Sequence, residues 1–476
     1  MTVIAPEPAR TIADAAPDAA ASRRAQLARL YPAPESFSHL AGDDWPDDAP
    51  VAGEPEAQRA LGHAVLGPIF AQFCQRLHLA TLAFDGREAR LLFVARGGLR
   101  LRYLYERWCA RTGTRPALPV GDLMISRVAA AKACLVARFD AVAPVLVQEF
   151  RNGSLGYMLR CLLRERLDPA PPILAHCPAS VDAFRAAYRG DDALGETLRA
   201  YFAEQAALFE TYIEDALDGA RTPVLVDTGW TGSTQALLMD RFPDLDWHGL
   251  YFGRWDYGRG PGRHFGHMFG VSLDSLEPGA NRAGQALFHY HHLIEDPLEI
   301  EVPSVEGYRH GAGAGGSRAE PDVPPFDPAV LAPHADGPLF EGIVAHLDDP
   351  ATPLDFLSVE RSAYAAYRRL RRMILWPRAA ELPAMVVRPR SADFGRTLTV
   401  PVLVRLPDRS LVRKLKSVAT ALWRPGQFAV TFPRLHWPIN GLHYLLLRTP
   451  IVGRPAERAL ARLERLLRRV IRLLGR

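Results

Sequence analysis

Lysine is almost missing from this chain of 476 residues. Lys132, Lys414 and Lys416 are the only three, so nearly all of the 57 basic residues are arginine. An arginine bias follows genome composition, so no function is read from it. Cysteine is scarce as well. Its five positions, Cys74, Cys109, Cys134, Cys161 and Cys177, are odd in number and lack the close pairing of a zinc ligand set. That argues against a disulfide framework and predicts small core residues in a reducing compartment. No uninterrupted apolar run reaches about 18 residues, so no membrane span is expected. The first residues, MTVIAPEPARTIADAAPDAAAS, lack the basic start and apolar stretch of a secretory signal. Residues 1–55 read as a disordered arm. The chain also has no Gly-x-Ser-x-Gly elbow, Walker loop or Cys-x-x-Cys pair. Its basic tail matches no nucleic-acid module, so no nucleic-acid partner is expected.

What is present is unevenly distributed. Residues 361–476 hold 25 Lys/Arg against 5 Asp/Glu, leaving 32 against 48 in the rest of the chain. This polarity points to an anionic partner for the C-terminal part, or to docking between the two parts. The last segment, 455–476, has leucines at helical spacing and arginines over the rest of its surface. It predicts a basic amphipathic helix, suited to a membrane surface or a partner protein.

Hydrophobic periodicity divides the chain further. A helix begins near Ala57 and runs to Leu77. Ala89–Ala95 reads as a buried strand opening into Arg96-Gly97-Gly98 and a helix to Arg111. Gly121–Ser126 reads as a second strand, followed by an Ala-rich helix. Residues 140–220 read as a helical insertion, or cap. Thr222–Met239 then gives a strand, Pro223–Val226, ending on Asp227. A loop of small and hydroxyl residues follows, Thr228 to Thr234, and then a helix from Gln235. A further strand is expected at Trp247–Gly253. The alternation predicts an α/β fold, a Rossmann-like mostly parallel sheet with a helical insertion and a basic, helix-rich C-terminal region. Residues 309–330 read as a flexible linker and 331–454 as an α+β region. Within it, a helix is expected over 354–375 and short β-like runs at Leu398–Val400 and Phe428–Val430.

In a parallel sheet, Arg96-Gly97-Gly98, Ser126-Arg127 and Asp227-Thr228 all open on one edge, where ligands bind. Asp227 is the leading candidate as a catalytic group or Mg²⁺ ligand. Its alternative is a loop-bracing carboxylate. Thr231, Gly232, Ser233 and Thr234 offer a helix start that can cradle phosphate or simply cap the helix. Ser126 has the same two readings. Arg96 and Arg127 can pair with a phosphate or with neighbouring acids. Lys132 lies too far into its helix to reach this edge. His289, His291 and His292 invite a metal reading, but their spacing is not the usual helical pair.

The ordered series Leu66–Phe73, Leu92–Gly98, Met124–Arg127 and Val226–Ser233 resembles haloacid-dehalogenase-like proteins found with bacterial surface-polysaccharide glycosyltransferases. Leu293-Ile294-Glu295 and Val305–Tyr308 look like further landmarks. The resemblance covers roughly 60–310, and its most specific element is Asp227-x-Gly229-Trp230-x-Gly232. It implies a domain over about 56–308. In the wider superfamily, Mg²⁺-dependent phosphoryl transfer goes through an aspartyl-phosphate. By position, Ser126 would match the phosphate-contacting hydroxyl and Asp227 the acidic metal motif. Two departures matter. Relatives carry Arg-Asp-Gly where this chain has Arg96-Gly97-Gly98, and no Asp-x-Asp nucleophile follows a first strand. Asp43-Asp44 and Asp47-Asp48 lie in a polar stretch instead. The expectation is a degenerate member that binds an anionic small molecule or glycan precursor. It would serve cell-surface polysaccharide assembly in the cytoplasm, peripheral to the inner membrane. The alternatives are an active Mg²⁺-dependent phosphohydrolase or phosphotransferase and, with least support, a glycosyltransferase.

Overall fold

Apolar runs build the centre of the molecule. Leu91–Val94 and Val224–Val226 are each 5% exposed or less. They lie in adjacent strands of a five-stranded sheet: β1 (Ala89–Val94), β2 (Val120–Leu123), β3 (Thr222–Trp230), β4 (His248–Arg254) and β5 (Met268–Asp274). The order across the sheet is β2-β1-β3-β4-β5, and every neighbouring pair is parallel. The fold is therefore Rossmann-like α/β. This computed structural model describes residues 49–448, except 151–152, 168–171, 257–261, 278–280, 301, 312–317, 326, 335–336, 392–398 and 407–408. The expected N-terminal arm up to residue 48 and the 455–476 helix lie outside the described residues.

Side chains alternate across the strands, so the sheet has two covered faces. Leu91, Phe93, Val224 and Val226 join one core. Leu92, Val94 and Leu225 join the other. Helices α1 (Gly67–Thr81) and α2 (Gly97–Thr112) supply the first face. The second is built by α3 (Arg127–Cys134), α4 (Ala193–Leu217) and α5 (Ser233–Arg241), together with the shorter helices Phe139–Phe150, Leu155–Leu163 and Val181–Arg189. The helix-rich stretch expected at 140–220 contributes to this second layer. Asp192 caps α4 and Ser126 caps α3, each accepting a backbone N–H from the first turn. Such caps contribute about 1 kcal/mol apiece.

The later chain returns to the first face. After α6 (His292–Leu298), α7 (Pro338–Asp348) and α8 (Phe356–Leu375) share the core of α1 and α2. Phe340, Ile343, Leu370 and Ile374 cluster there with Phe70, Phe73 and Phe93. Trp423 is fully buried, stacks on Tyr290 at 4.8 Å and donates its indole N–H to the Ile374 carbonyl. Among the described residues, 331–448 therefore has no core of its own.

Three local expectations need correction. The 309–330 linker contains most of a hairpin, Tyr308–His310 paired antiparallel with Ala319–Pro321, and Tyr308 and Ala319 are buried against α4. Phe428–Val430 is helical, inside α10 (Arg424–Thr431), which follows α9 (Leu411–Thr420). A three-residue apolar run carries no period, and Pro425 at the first turn favours a helix start. Finally, β3 does not stop at Asp227 but continues to Trp230. Its pairing with β4 extends to Gly229↔Gly253 and Trp230↔Arg254, so small residues keep the ladder going.

Candidate functional site

The chain leaves β1 for β2 on one side and returns with β3 on the other. The crevice beyond the carboxyl ends of β1 and β3 is therefore the topological switch point, where α/β sheets bind ligands. Phe93 pairs with Val226, so Gly97-Gly98 and Asp227 flank this crevice. Gly98 is required by close packing: a Cβ there would lie 2.6 Å from the Val226 carbonyl oxygen. Gly97 is different. A Cβ would meet Asp227 Oδ1 at 3.3 Å and Thr228 Cγ2 at 3.3 Å, ending beside the carboxylate with only slight displacement. An aspartate at this position would form a carboxylate pair with Asp227. The chain has only backbone there.

Asp227 keeps some contact with solvent, yet its carboxyl group lies deep among protein atoms. Its Oδ1 accepts the Thr228 N–H at 2.7 Å and the Thr228 hydroxyl at 3.4 Å. Burial pushes its pKa up to about 7; Thr228 and the Gly98 N–H oppose the rise, and the Glu295 charge adds to it. Asp227 also faces the start of α2, where free N–H groups and the helix dipole attract negative charge. The protein's own carboxylate thus stands where an anionic ligand would gain from that helix end.

Glu295, at the start of α6, has the opposite character. Burial opposes its ionisation, but His292, His291 and Arg390 outweigh it and hold the pKa down at about 2. Oε1 accepts the Trp230 indole N–H at 2.9 Å. Oε2 accepts from His292 Nδ1 at 2.9 Å and from Arg390 at 3.4 Å. Arg390 also binds Glu299 at 2.5 Å, and Glu299 binds Arg96 at 2.5 Å. This network ties the end of β3 to α6 and to residue 390. His291 stacks edge-on to Trp230, with centroids 5.5 Å apart, and burial pushes its pKa down to about 4.

The other expected residues are brought near but mostly given structural work. Arg96 is committed to Glu299 and to the Val302 carbonyl. Ser126 lies three residues beyond β2, donates to the Val305 carbonyl at 2.5 Å and caps α3 through Ala129 N–H. Arg127 is exposed at the start of α3. Thr231, Ser233 and Thr234 do not cap α5; Gly232 holds the cap position with φ 61° and no side-chain cap. A Cβ on Gly232 would fall 2.3 Å from Met268 Sδ, so that residue answers to packing as well as to φ. The Thr231 carbonyl accepts from His264 Nε2 at 2.7 Å. Lys132 is buried away from the crevice, donating to the Leu162 and Glu306 carbonyls and to Tyr201 Oη. Among the expected histidines, His291 and His292 converge with Glu295, while His289 is exposed and outside the group.

Sequence reasoning missed Arg390, Glu299 and the Trp230–Glu295 bond. Trp230 and Glu295 each lay in a motif, but no spacing rule joins positions 65 residues apart. The donors at the crevice would give Mg²⁺ few protein ligands, with waters completing its shell. Asp227 is one carboxylate, Gly97 faces it, and both Glu295 oxygens are already held by nitrogen donors. No family model and no curated protein matches this chain.

Proposed function

We propose that this chain is a catalytically degenerate haloacid-dehalogenase-like protein, a binding or accessory factor in bacterial cell-surface polysaccharide assembly. One observation carries the reading. The switch point offers a single uncompensated carboxylate, Asp227, opposite the backbone of Gly97. The hydrogen bonds from Thr228 and the Gly98 N–H lower its pKa, but burial outweighs them. Asp227 has its pKa raised, so at neutral pH it weakens the fold. A residue that costs stability at a ligand-binding crevice is better explained by binding than by support. A carboxylate near its titration point can accept from, or donate to, a sugar hydroxyl. The Glu295 charge acts on Asp227 and disfavours a second anion there, so hydroxyl recognition on a glycan precursor is favoured over capture of a free phosphate.

The C-terminal part supports a second element of this reading, docking on an anionic membrane surface. The stretch 409–448 holds seven Lys/Arg and no Asp/Glu. It also exposes Leu411, Val412, Leu415, Leu435, Trp437, Ile439 and Leu442, each at least 39% accessible. Exposed apolar side chains set among basic residues suit an interface with anionic lipid headgroups. No helix among the described residues is long and apolar enough to cross a membrane.

The test is hydrolysis of p-nitrophenyl phosphate and of sugar phosphates with Mg²⁺, alongside calorimetry with mono- and oligosaccharides. No turnover, with saccharide binding that is lost in Asp227→Ala, is expected. Mg²⁺-dependent turnover abolished by Asp227→Ala would establish the phosphohydrolase reading instead.

A further inference from the structure

The opposite end of the sheet carries a second group of chemistry-bearing side chains. Asp246, His248 and His267 converge at the entries of β4 and β5, with ligand atoms no more than 4.8 Å apart. The backbone dictates the arrangement. Asp246-Trp247-His248 leads into β4, with Trp247, 1% exposed, in the core and the Asp246 and His248 side chains next to each other. Gly249 pairs with Met268 across the parallel ladder, which sets His248 beside His267 one step earlier. Their rings lie 5.7 Å apart.

The polar contacts inside this group are incomplete. His248 Nε2 lies 3.1 Å from Asp246 Oδ2. Yet both ring nitrogens of His248 are shielded from solvent and neither has a hydrogen-bond partner. The pair is close but not aligned for an N–H···O bond. Two ligands of one tetrahedral zinc, each about 2.0–2.1 Å from the ion, stand roughly 3.3–3.4 Å apart. The 3.1 Å separation is near that value, and a buried nitrogen without a partner calls for a water or an ion. Arg87 is the nearby competing charge, 3.6 Å from Asp246 Oδ2, on a half-exposed side chain. Phe84 packs against the His248 ring at 5.0 Å and fixes its plane.

We propose that Asp246, His248 and His267 bind a divalent transition-metal ion of the zinc class. Two imidazoles and one carboxylate supply three ligands, and the solvent-facing side of Asp246 leaves the fourth position to water. The ion would tie the entry of β4 to the entry of β5. The site is independent of Asp227, at the other end of the same sheet. The His291, His292, Glu295 group brings its ligand atoms as close together but differs in one respect. Glu295 is already held by Trp230 and Arg390, so an ion there would have to displace them.

The experiment is titration of the full, chelator-treated chain with Co²⁺, read by visible absorption, and with Zn²⁺, read by the shift in thermal midpoint. One Co²⁺ per chain with tetrahedral visible bands, competed by Zn²⁺, is expected, along with a rise in midpoint on Zn²⁺ addition. His267→Ala and Asp246→Asn, at ligands outside the buried core, should fold and lose both signals. His292→Ala should keep them. Absence of stoichiometric binding in the wild-type chain overturns the proposal. So does binding that survives His267→Ala, or binding that disappears in His292→Ala.

Discussion

Asp227 and Glu295 lie at the same end of one sheet, and burial works against the charge on both. Their pKa values nevertheless part, to about 7 and about 2. Glu295 has Arg390, His292 and the Trp230 indole around it; Asp227 has only Thr228 and the Gly98 N–H, and faces Gly97. The comparison teaches that partners, and not depth, decide which carboxylate is structural. Glu295 belongs to the scaffold, and Asp227 is the group left with chemistry to offer.

The largest expected effect comes from stripping Glu295 of its cation. Arg390→Ala leaves Glu295 and Glu299 less compensated, and should cost roughly 3 kcal/mol in urea unfolding. A loss below about 0.5 kcal/mol would mean that the network is solvated and the contrast between the two acids unfounded.

Asp227→Asn should act in the other direction. A raised acid pKa means that the folded state binds the extra proton between about pH 4 and pH 7. Asp227 therefore costs nothing below that window, and its full penalty applies above it. The Asn variant should match wild type near pH 4 and exceed it by on the order of 2 kcal/mol at pH 8, allowing for partial solvent contact. A variant that is less stable at pH 8 would return Asp227 to the role of a brace.

Gly97→Asp sharpens the comparison by giving Asp227 a second acid. Without metal, the variant should lose about 1–2 kcal/mol from like-charge repulsion and the tight Cβ contacts. It should also gain a Mg²⁺-dependent thermal shift that wild type lacks. If wild type already shows that shift, the crevice is a metal site as it stands.

The smallest effect on stability is expected at the C-terminal patch. Leu411→Glu with Trp437→Glu should change unfolding free energy by no more than about 0.5 kcal/mol for each exposed site. Binding to vesicles containing phosphatidylserine should nevertheless fall. Unchanged vesicle binding would leave the exposed apolar residues to a protein partner.

The sheet was legible because its strands are apolar runs buried on both faces, as in Leu91–Val94 and Val224–Val226. The helices after β1, β2 and β3 were legible from period and from small residues at their starts. The end of β3 was not, because Thr228 and Gly229 look like loop residues and only pairing with Gly253 keeps them in the ladder. Asp227 stood out as an acid at the end of an apolar run. Its facing residue stood out only through the missing carboxylate at Gly97. What decides the site chemically, the Arg390–Glu295 contact, joins residues 95 positions apart in a part of the chain with no motif. Likewise, His248 and His267 meet only because the ladder pairs Gly249 with Met268.

The most direct measurement is a pH titration of the Asp227 carboxyl carbon by NMR, assigned by its loss in Asp227→Asn and repeated with Mg²⁺. A midpoint near pH 7 that Mg²⁺ does not move is the expected result. A midpoint at or below the usual aspartate range of about 4, or one that Mg²⁺ drives down, would contradict the account of Asp227 as an uncompensated binding group.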